Sequence, residues 1–134
     1  MSKLVIYLLV ILNFYCFCET IFTQTDLKAK KNEINVKLGE EFTLKFKSNP
    51  STGYYWTFLN KNEASDSIQF LRSKYVKSPL PLNNIIFVGR GGYVYFYFKA
   101  RKVTNEAQTL KFLYSRFSGK QTNDPSYIVK VNVN

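Results

Sequence analysis

The sequence predicts an all-β fold, a β-sandwich of about seven short strands. Three observations point to it. Aromatic residues make up 17% of the chain, with ten Tyr and twelve Phe, and such side chains suit a pleated, half-buried surface. Apolar and polar residues alternate with period two in several segments. Clusters of Gly, Pro, Asn and Ser punctuate those segments at the spacing of sandwich turns. At 134 residues the chain suits one domain with one core, and 46% hydrophobic with 21% charged residues is an ordinary globular balance.

Taken in order, Met1-Ser2-Lys3 and the apolar run 4–17 lead to small residues at Cys16 and Cys18. This reads as a secretory signal peptide over 1–18, leaving a single domain over 19–134. A signal anchor is the alternative, although the run is short for a bilayer span. Cleavage after Cys18 would remove both cysteines, so no disulfide is expected in the mature domain. The expected location is the secretory pathway, either outside the cell or in a lysosomal or phagosomal lumen.

Residues 21–31 read as a mixed polar lead-in, partly ordered. Strict alternation over 33–38 gives a first strand, and Gly39-Glu40 a turn. Residues 41–47 form the second strand, with Phe42, Leu44 and Phe46 on one face. Asn49 to Gly53 is a stiff polar loop, and 54–59 the third strand, with Trp56 as its core anchor. Residues 60–67 read as a loop. A fourth strand covers 68–76, its pattern interrupted at Ser73 so that a kink is allowed. Pro79 and Pro81 exclude a central strand over 77–84, which is expected to be a long exposed loop, and 85–88 is a short apolar approach. The strongest strand is 93–102. Val94, Phe96 and Phe98 oppose Tyr93, Tyr95 and Tyr97, so one face packs the core and the other needs cover from side chains or a loop. Strands over 109–114 and 127–133 complete the set.

Composition excludes much chemistry. The chain has no histidine, which removes Ser-His and Cys-His nucleophiles and histidine metal sites. Carboxylates are sparse. Glu40 and Glu41 are adjacent on what reads as a strand, so their side chains point to opposite faces. No enzyme activity, metal or cofactor is expected. The formal charge of +10 suits an acidic partner, but the lysines are scattered and no nucleic-acid recognition motif accompanies them.

Three loops stand out. Asn49-Pro50-Ser51-Thr52-Gly53 joins two strands and is either a plain turn or a presented binding edge. Gly89-Arg90-Gly91-Gly92 lacks the following helix that a phosphate cradle needs, so its glycines suit a bulge or turn. Arg116-Phe117 is either an inconsequential surface pair or the composition of a binding hot spot. In a sandwich of this strand count, the loops after the second, fourth and sixth strands emerge at the same end.

Together these loops resemble the chagasin family of inhibitors of papain-like cysteine peptidases. Asn49-Pro50-Ser51-Thr52-Gly53-Tyr54-Tyr55-Trp56 is similar to its Asn-Pro-Thr-Thr-Gly-aromatic-x-Trp motif, with Ser51 in place of a Thr. Gly89-Arg90-Gly91-Gly92 resembles its Gly-x-Gly-Gly loop, and Leu113-Tyr114-Ser115-Arg116 the strand into its Arg-Pro-Trp loop. Order and spacing match from about Asn32 to Val133. The third motif departs: Phe117 follows Arg116 directly, so it either fills the aromatic role from a shifted position or makes a weaker contact.

The resemblance implies an immunoglobulin-like β-sandwich whose three loops form a wedge in the peptidase cleft. The peptidase-binding set it implies is Asn49, Pro50, Ser51, Thr52, Gly53, Tyr54, Gly89, Arg90, Gly91, Gly92, Arg116 and Phe117. Thr52 would make the central contact, and Gly91 and Gly92 would let backbone approach the enzyme closely. The partners implied are papain-like cysteine peptidases, with no nucleic acid and no lasting membrane span, the inhibitor itself a monomer. A secreted aromatic-rich module for carbohydrate or protein is the alternative function.

Overall fold

A computed structural model describes residues 19–64, 66–79, 90–116 and 126–134. The proposed signal peptide, the apolar approach at 85–88, Gly89 and Phe117 lie outside the described residues. Eight strands form two four-stranded sheets. One carries β1 (Thr20–Thr23), β3 (Glu41–Ser48), β6 (Gly92–Ala100) and β5 (Ile68–Lys77), in that order. The other carries β2 (Glu33–Val36), β8 (Tyr127–Val133), β7 (Gln108–Arg116) and β4 (Tyr54–Phe58). β1 pairs with β3 and β2 with β8 in parallel, and the other neighbours are antiparallel. The expected β-sandwich is present, with the seven strands read from the sequence and β1 as an eighth.

Alternation fills the space between the sheets. Phe42, Leu44 and Phe46 of β3 are buried, as are Phe96 and Phe98 of β6 and Leu110 and Phe112 of β7. Burying each such side chain fully contributes about 1.5–3 kcal/mol. Rings from the two sheets interlock around Phe46. Its ring centroid lies 4.9 Å from Trp56, 4.9 Å from Phe112, 5.3 Å from Tyr127 and 5.8 Å from Phe96. Phe58 stacks on Phe112 at 5.2 Å and meets Phe98 edge-on at 5.3 Å. The outward tyrosines of β6 are covered by long cationic side chains, as the two-faced aromatic pattern required: Lys45 lies over Tyr93 and Arg72 over Tyr97.

The lead-in at 21–31 is built rather than loosely ordered. After β1 comes a short helix, α1 (Gln24–Ala29). Thr23 caps it: its hydroxyl oxygen accepts from Asp26 N–H, and the Asp26 carboxylate accepts from Thr23 N–H at 2.9 Å. The Thr23 N–H, and the Thr23 hydroxyl at 2.8 Å, both donate to the Asp26 carboxylate and hold it below its ordinary range. Leu27, fully buried, pins the helix to the core. A second helical turn, α2 (Lys61–Ala64), occupies part of the expected loop at 60–67. The kink in β5 is a register shift between Phe70 and Arg72, where one extra residue turns the strand. Glu40 sits in the turn before β3, and its carboxylate accepts from Lys37 N–H and the Thr20 hydroxyl.

Candidate functional site

The chain leaves β3, arrives at β6 and leaves β7 at the same end of the sandwich. Two registers establish this. Ser48, the last residue of β3, pairs with Gly92, the first of β6. Tyr54, the first of β4, pairs with Arg116, the last of β7. The segment between Ser48 and Tyr54 therefore lies between the other two, and the expected clustering of the three loops is found for their described residues.

The central loop is a single 3-10 turn over Pro50–Thr52. Pro50 fixes φ at the first helical position, where its missing N–H leaves no bond unmade. Thr52 N–H donates to the Asn49 carbonyl at 3.1 Å and Gly53 N–H to the Pro50 carbonyl at 2.9 Å. Side chains add two more bonds: Thr52 Oγ1 donates to the Asn49 carbonyl at 2.7 Å and Ser51 Oγ to Asn49 Oδ1 at 2.5 Å. Gly53 ends the turn at φ +82°, in the left-handed region that favours glycine. Ser51 and Thr52 are exposed at the tip.

On one side stand Arg90, Gly91 and Gly92. A methyl group on Gly91 would lie 3.1 Å from the Ser48 carbonyl oxygen and 3.6 Å from Asn49 Cβ, so this glycine abuts the root of the central loop. On Gly92 it would lie 2.2 Å from the Val76 carbonyl oxygen and 2.8 Å from Lys77 Cα. Gly92 is buried. Its missing side chain serves the contact of β6 with β5. Arg90 is half-buried, and its Nε is enclosed without a hydrogen-bond partner among the described residues.

On the other side a column of rings runs outward from the core. Trp56 lies 4.9 Å from Phe46 and 4.8 Å from Tyr114, and Tyr114 stacks on Tyr54 at 5.3 Å. The Arg116 guanidinium closes the column, 5.0 Å from the centre of the Tyr54 ring. A cation over an aromatic face is attracted by the ring quadrupole. Trp56 Nε1–H also donates to the Lys47 carbonyl at 2.9 Å, tying the two strands that flank the loop. Trp56 is thus the anchor the sequence suggested. Tyr114 was missed as a loop support, although its spacing of two from Arg116 puts both on one face. Among the described residues no three His, Cys, Asp or Glu side chains gather to hold a metal. No described helix is long and apolar enough to cross a membrane.

Comparison with known proteins agrees with this geometry. A search of curated protein sequences finds no significant match. Among solved structures, the cysteine protease inhibitor EhICP2 from Entamoeba histolytica superposes with a TM-score of 0.60 at 22% identity, covering 85% of this chain and 92% of that one. PbICP-C, solved in complex with falcipain-2, gives 0.51 at 18% identity over 87% and 89% of the two chains. The Leishmania mexicana inhibitor ICP gives 0.50 at 26% identity over 87% and 90%. The model of the chagasin family peptidase inhibitor I42 matches residues 35–133, nearly the span over which the three loop motifs run in order. The chain belongs to the chagasin family of peptidase inhibitors.

Proposed function

We propose that this protein is a reversible, non-covalent inhibitor of papain-like cysteine peptidases that blocks the active-site cleft with the loop end of the sandwich. The observation that carries this is a pre-ordered central loop, flanked by Arg90-Gly91 on one side and Tyr54 with Arg116 on the other. A papain-like site holds a reactive thiolate beside a histidine at the bottom of a cleft. Ser51 and Thr52 are small enough to reach it. The turn offers no extended backbone in register for attack, so the inhibitor blocks without being cleaved. Neither the turn nor its described flanks hold a thiol or electrophile, so the complex forms without a covalent bond.

Stiffness favours affinity. Pro50 and the four bonds within the turn restrict the loop before binding, so less conformational entropy is lost on association. Thr52 makes the central contact. Asn49, Pro50, Ser51, Gly53 and Tyr54 surround it, Arg90 and Gly91 grip one wall, and Arg116 with Phe117 the other. Gly89 and Gly92 belong to the same proposed contact set. The partner seen with PbICP-C, falcipain-2, supports a cysteine protease as the target class. The signal peptide over 1–18 would deliver a monomeric inhibitor to the secretory pathway, outside the cell or into a lysosomal or phagosomal lumen, where papain-like peptidases also occur.

The test is titration of a panel of papain-like peptidases, with a serine peptidase as control. Stoichiometric loss of papain-type activity, recovered on dilution, is the expected result. Unchanged papain activity at micromolar excess of inhibitor would overturn the proposal.

A further inference from the structure

Starting beside the loop end, the outer face of the β1-β3-β6-β5 sheet carries an ordered array of charge. Register places Lys47, Tyr93 and Val76 side by side in one row. Lys45, Tyr95 and Lys74 form the next, and Thr43, Tyr97 and Arg72 the third. These residues share the outward face because Phe42, Leu44, Phe46, Phe96 and Phe98, of opposite parity, fill the core. The tyrosines of β6 form a ridge with cations on both flanks.

The array is held in place by the rings themselves. Lys45 Nζ lies 4.2 Å from the centre of the Tyr93 ring and 5.6 Å from that of Tyr95. The Arg72 guanidinium carbon lies 4.1 Å from the centre of the Tyr97 ring, and Tyr95 and Tyr97 stack at 6.4 Å. Acidic groups stand at the margins: the Asp26 carboxylate bonds Thr23, which register sets beside Lys45. Glu41 pairs with Lys99 in the row beyond Thr43, and the Glu19 carboxylate accepts from the Thr43 hydroxyl at 3.1 Å. Among the described residues the one ion pair is Lys111 with Glu63 at 3.9 Å. Lys45, Lys47, Arg72 and Lys74 therefore form a cluster of positive charge with no ion pair to a described carboxylate, although Glu19 and Glu41 line the same pocket as Arg72.

We propose that this face binds an acidic polysaccharide, a chain bearing sulfate or carboxylate groups, along the tyrosine ridge. The flanking strands lie about 10 Å apart and successive rows about 7 Å apart. Cations thus line both edges of a strip wide enough for one extended sugar chain, whose anionic groups project from its two edges. The ridge between them offers ring edges and phenol hydroxyls to the sugar. Charge alone would also suit a nucleic acid, but single strands bind by stacking bases on open aromatic faces. Here Tyr93 and Tyr97 already carry Lys45 and Arg72. An anionic membrane is a poorer fit, because the aliphatic side chains of this face, Val76 and the exposed Ile21 that register sets beside Thr43, stand on opposite edge strands and form no continuous apolar surface to insert.

The experiment measures binding of the purified protein to a heparin oligosaccharide, with desulfated heparin, a single-stranded oligonucleotide and phosphatidylserine vesicles as competing probes. The variant Lys45→Glu/Lys74→Glu reverses two cations of the array. Lys37→Glu/Lys130→Glu makes the same charge change at exposed positions outside it. The array variant is expected to weaken heparin binding about tenfold or more and to lower the salt dependence, while the control variant changes it far less. Desulfated heparin is expected to bind more weakly than heparin. Should the charge reversal disturb folding by circular dichroism, Lys45→Gln/Lys74→Gln serves in its place with the same expectation. Equal weakening by the array and control variants would overturn the proposal. So would oligonucleotide or vesicle binding as tight as heparin binding and dependent on the same two lysines.

Discussion

Replacing Gly53 separates the strain of the loop from its contact with a peptidase. Gly53 sits at φ +82° and ψ 4°. A β-carbon in that conformation costs about 1–2 kcal/mol of backbone strain. It meets no obstacle inside the domain, since its closest neighbour would be Arg116 Cγ at 4.0 Å, an ordinary contact. Gly53→Ala is therefore expected to lower stability by the strain alone, and each 1 kcal/mol lowers the Tm of a domain this size by about 3–6 °C. Asn tolerates the left-handed region better than Ala, yet places a larger side chain at the same point. Gly53→Asn is thus expected to melt nearer the parent than Gly53→Ala does. If the tip enters a cleft, Asn nonetheless weakens inhibition more than Ala, by about tenfold or more, equivalent to about 1.4 kcal/mol. The assay is papain titration and thermal melting on the same preparations. A Gly53→Asn variant that melts near the parent and inhibits as well as the parent would refute entry of this tip into the cleft.

Gly92→Ala should act on the fold: a methyl 2.2 Å from the Val76 carbonyl oxygen forces β5 and β6 apart, and urea unfolding is expected to show a loss of about 1–3 kcal/mol. Leu27→Ala empties a fully buried site beneath α1, and the same measurement is expected to show a loss of about 2–5 kcal/mol; an unchanged midpoint would mean that residues 20–29 are not part of the cooperative unit. Trp56→Phe removes the bond to the Lys47 carbonyl, with an expected cost of about 1 kcal/mol and faster amide exchange at Thr52 and Gly53. Bonds from the Thr23 backbone and hydroxyl lower the Asp26 pKa in the folded state. The stability they contribute is therefore present above the ordinary carboxylate range and lost as pH falls through the lowered pKa; urea midpoints of the parent and Asp26→Asn should converge on acidification.

What the sequence disclosed follows the range of the interactions. β3, β6, β7 and β8 were legible because each alternates over five or more residues and buries one face against the other sheet. Trp56 was legible because a lone tryptophan beginning a strand suits an inter-sheet anchor. β1 was missed because it offers only Ile21 and Phe22 as apolar residues and is held by parallel pairing with β3, some twenty residues away. The signal for α1 was present, in Thr23 followed three residues later by Asp26 and then Leu27, but so short a helix has no periodicity to announce it. Gly92 was read as a loop glycine because its reason, the Val76 carbonyl, comes from a different strand. The bonds inside the central turn follow from Pro50, Ser51, Thr52 and Gly53. The cation over Tyr54 depends on a register that alternation alone does not set.

The hydrogen-bond inventory of the turn gives the site a polarity that the motif does not spell out. Pro50 has no N–H, and those of Thr52 and Gly53 donate within the turn. The hydroxyl protons of Ser51 and Thr52 are engaged by Asn49. The two hydroxyls meet a partner with oxygen lone pairs, and the exposed Ser51 N–H, which makes no bond within the turn, is the donor left at the tip. A papain-like cleft with its thiolate formed carries a protonated imidazole beside the sulfur, a donor suited to Thr52 Oγ1. Further donors on the inhibitor stand at the flanks, in Arg90 and Arg116. The Ser51 and Thr52 hydroxyl oxygens therefore stand as acceptors between two guanidinium groups. If the tip enters the cleft as proposed, its hydroxyls suit the ionised form of the peptidase. Thr52→Val would delete the accepting oxygen while keeping the shape of the side chain. It would also leave the Asn49 carbonyl with the Thr52 N–H alone, so the loss of inhibition it causes has to be judged against its loss of stability.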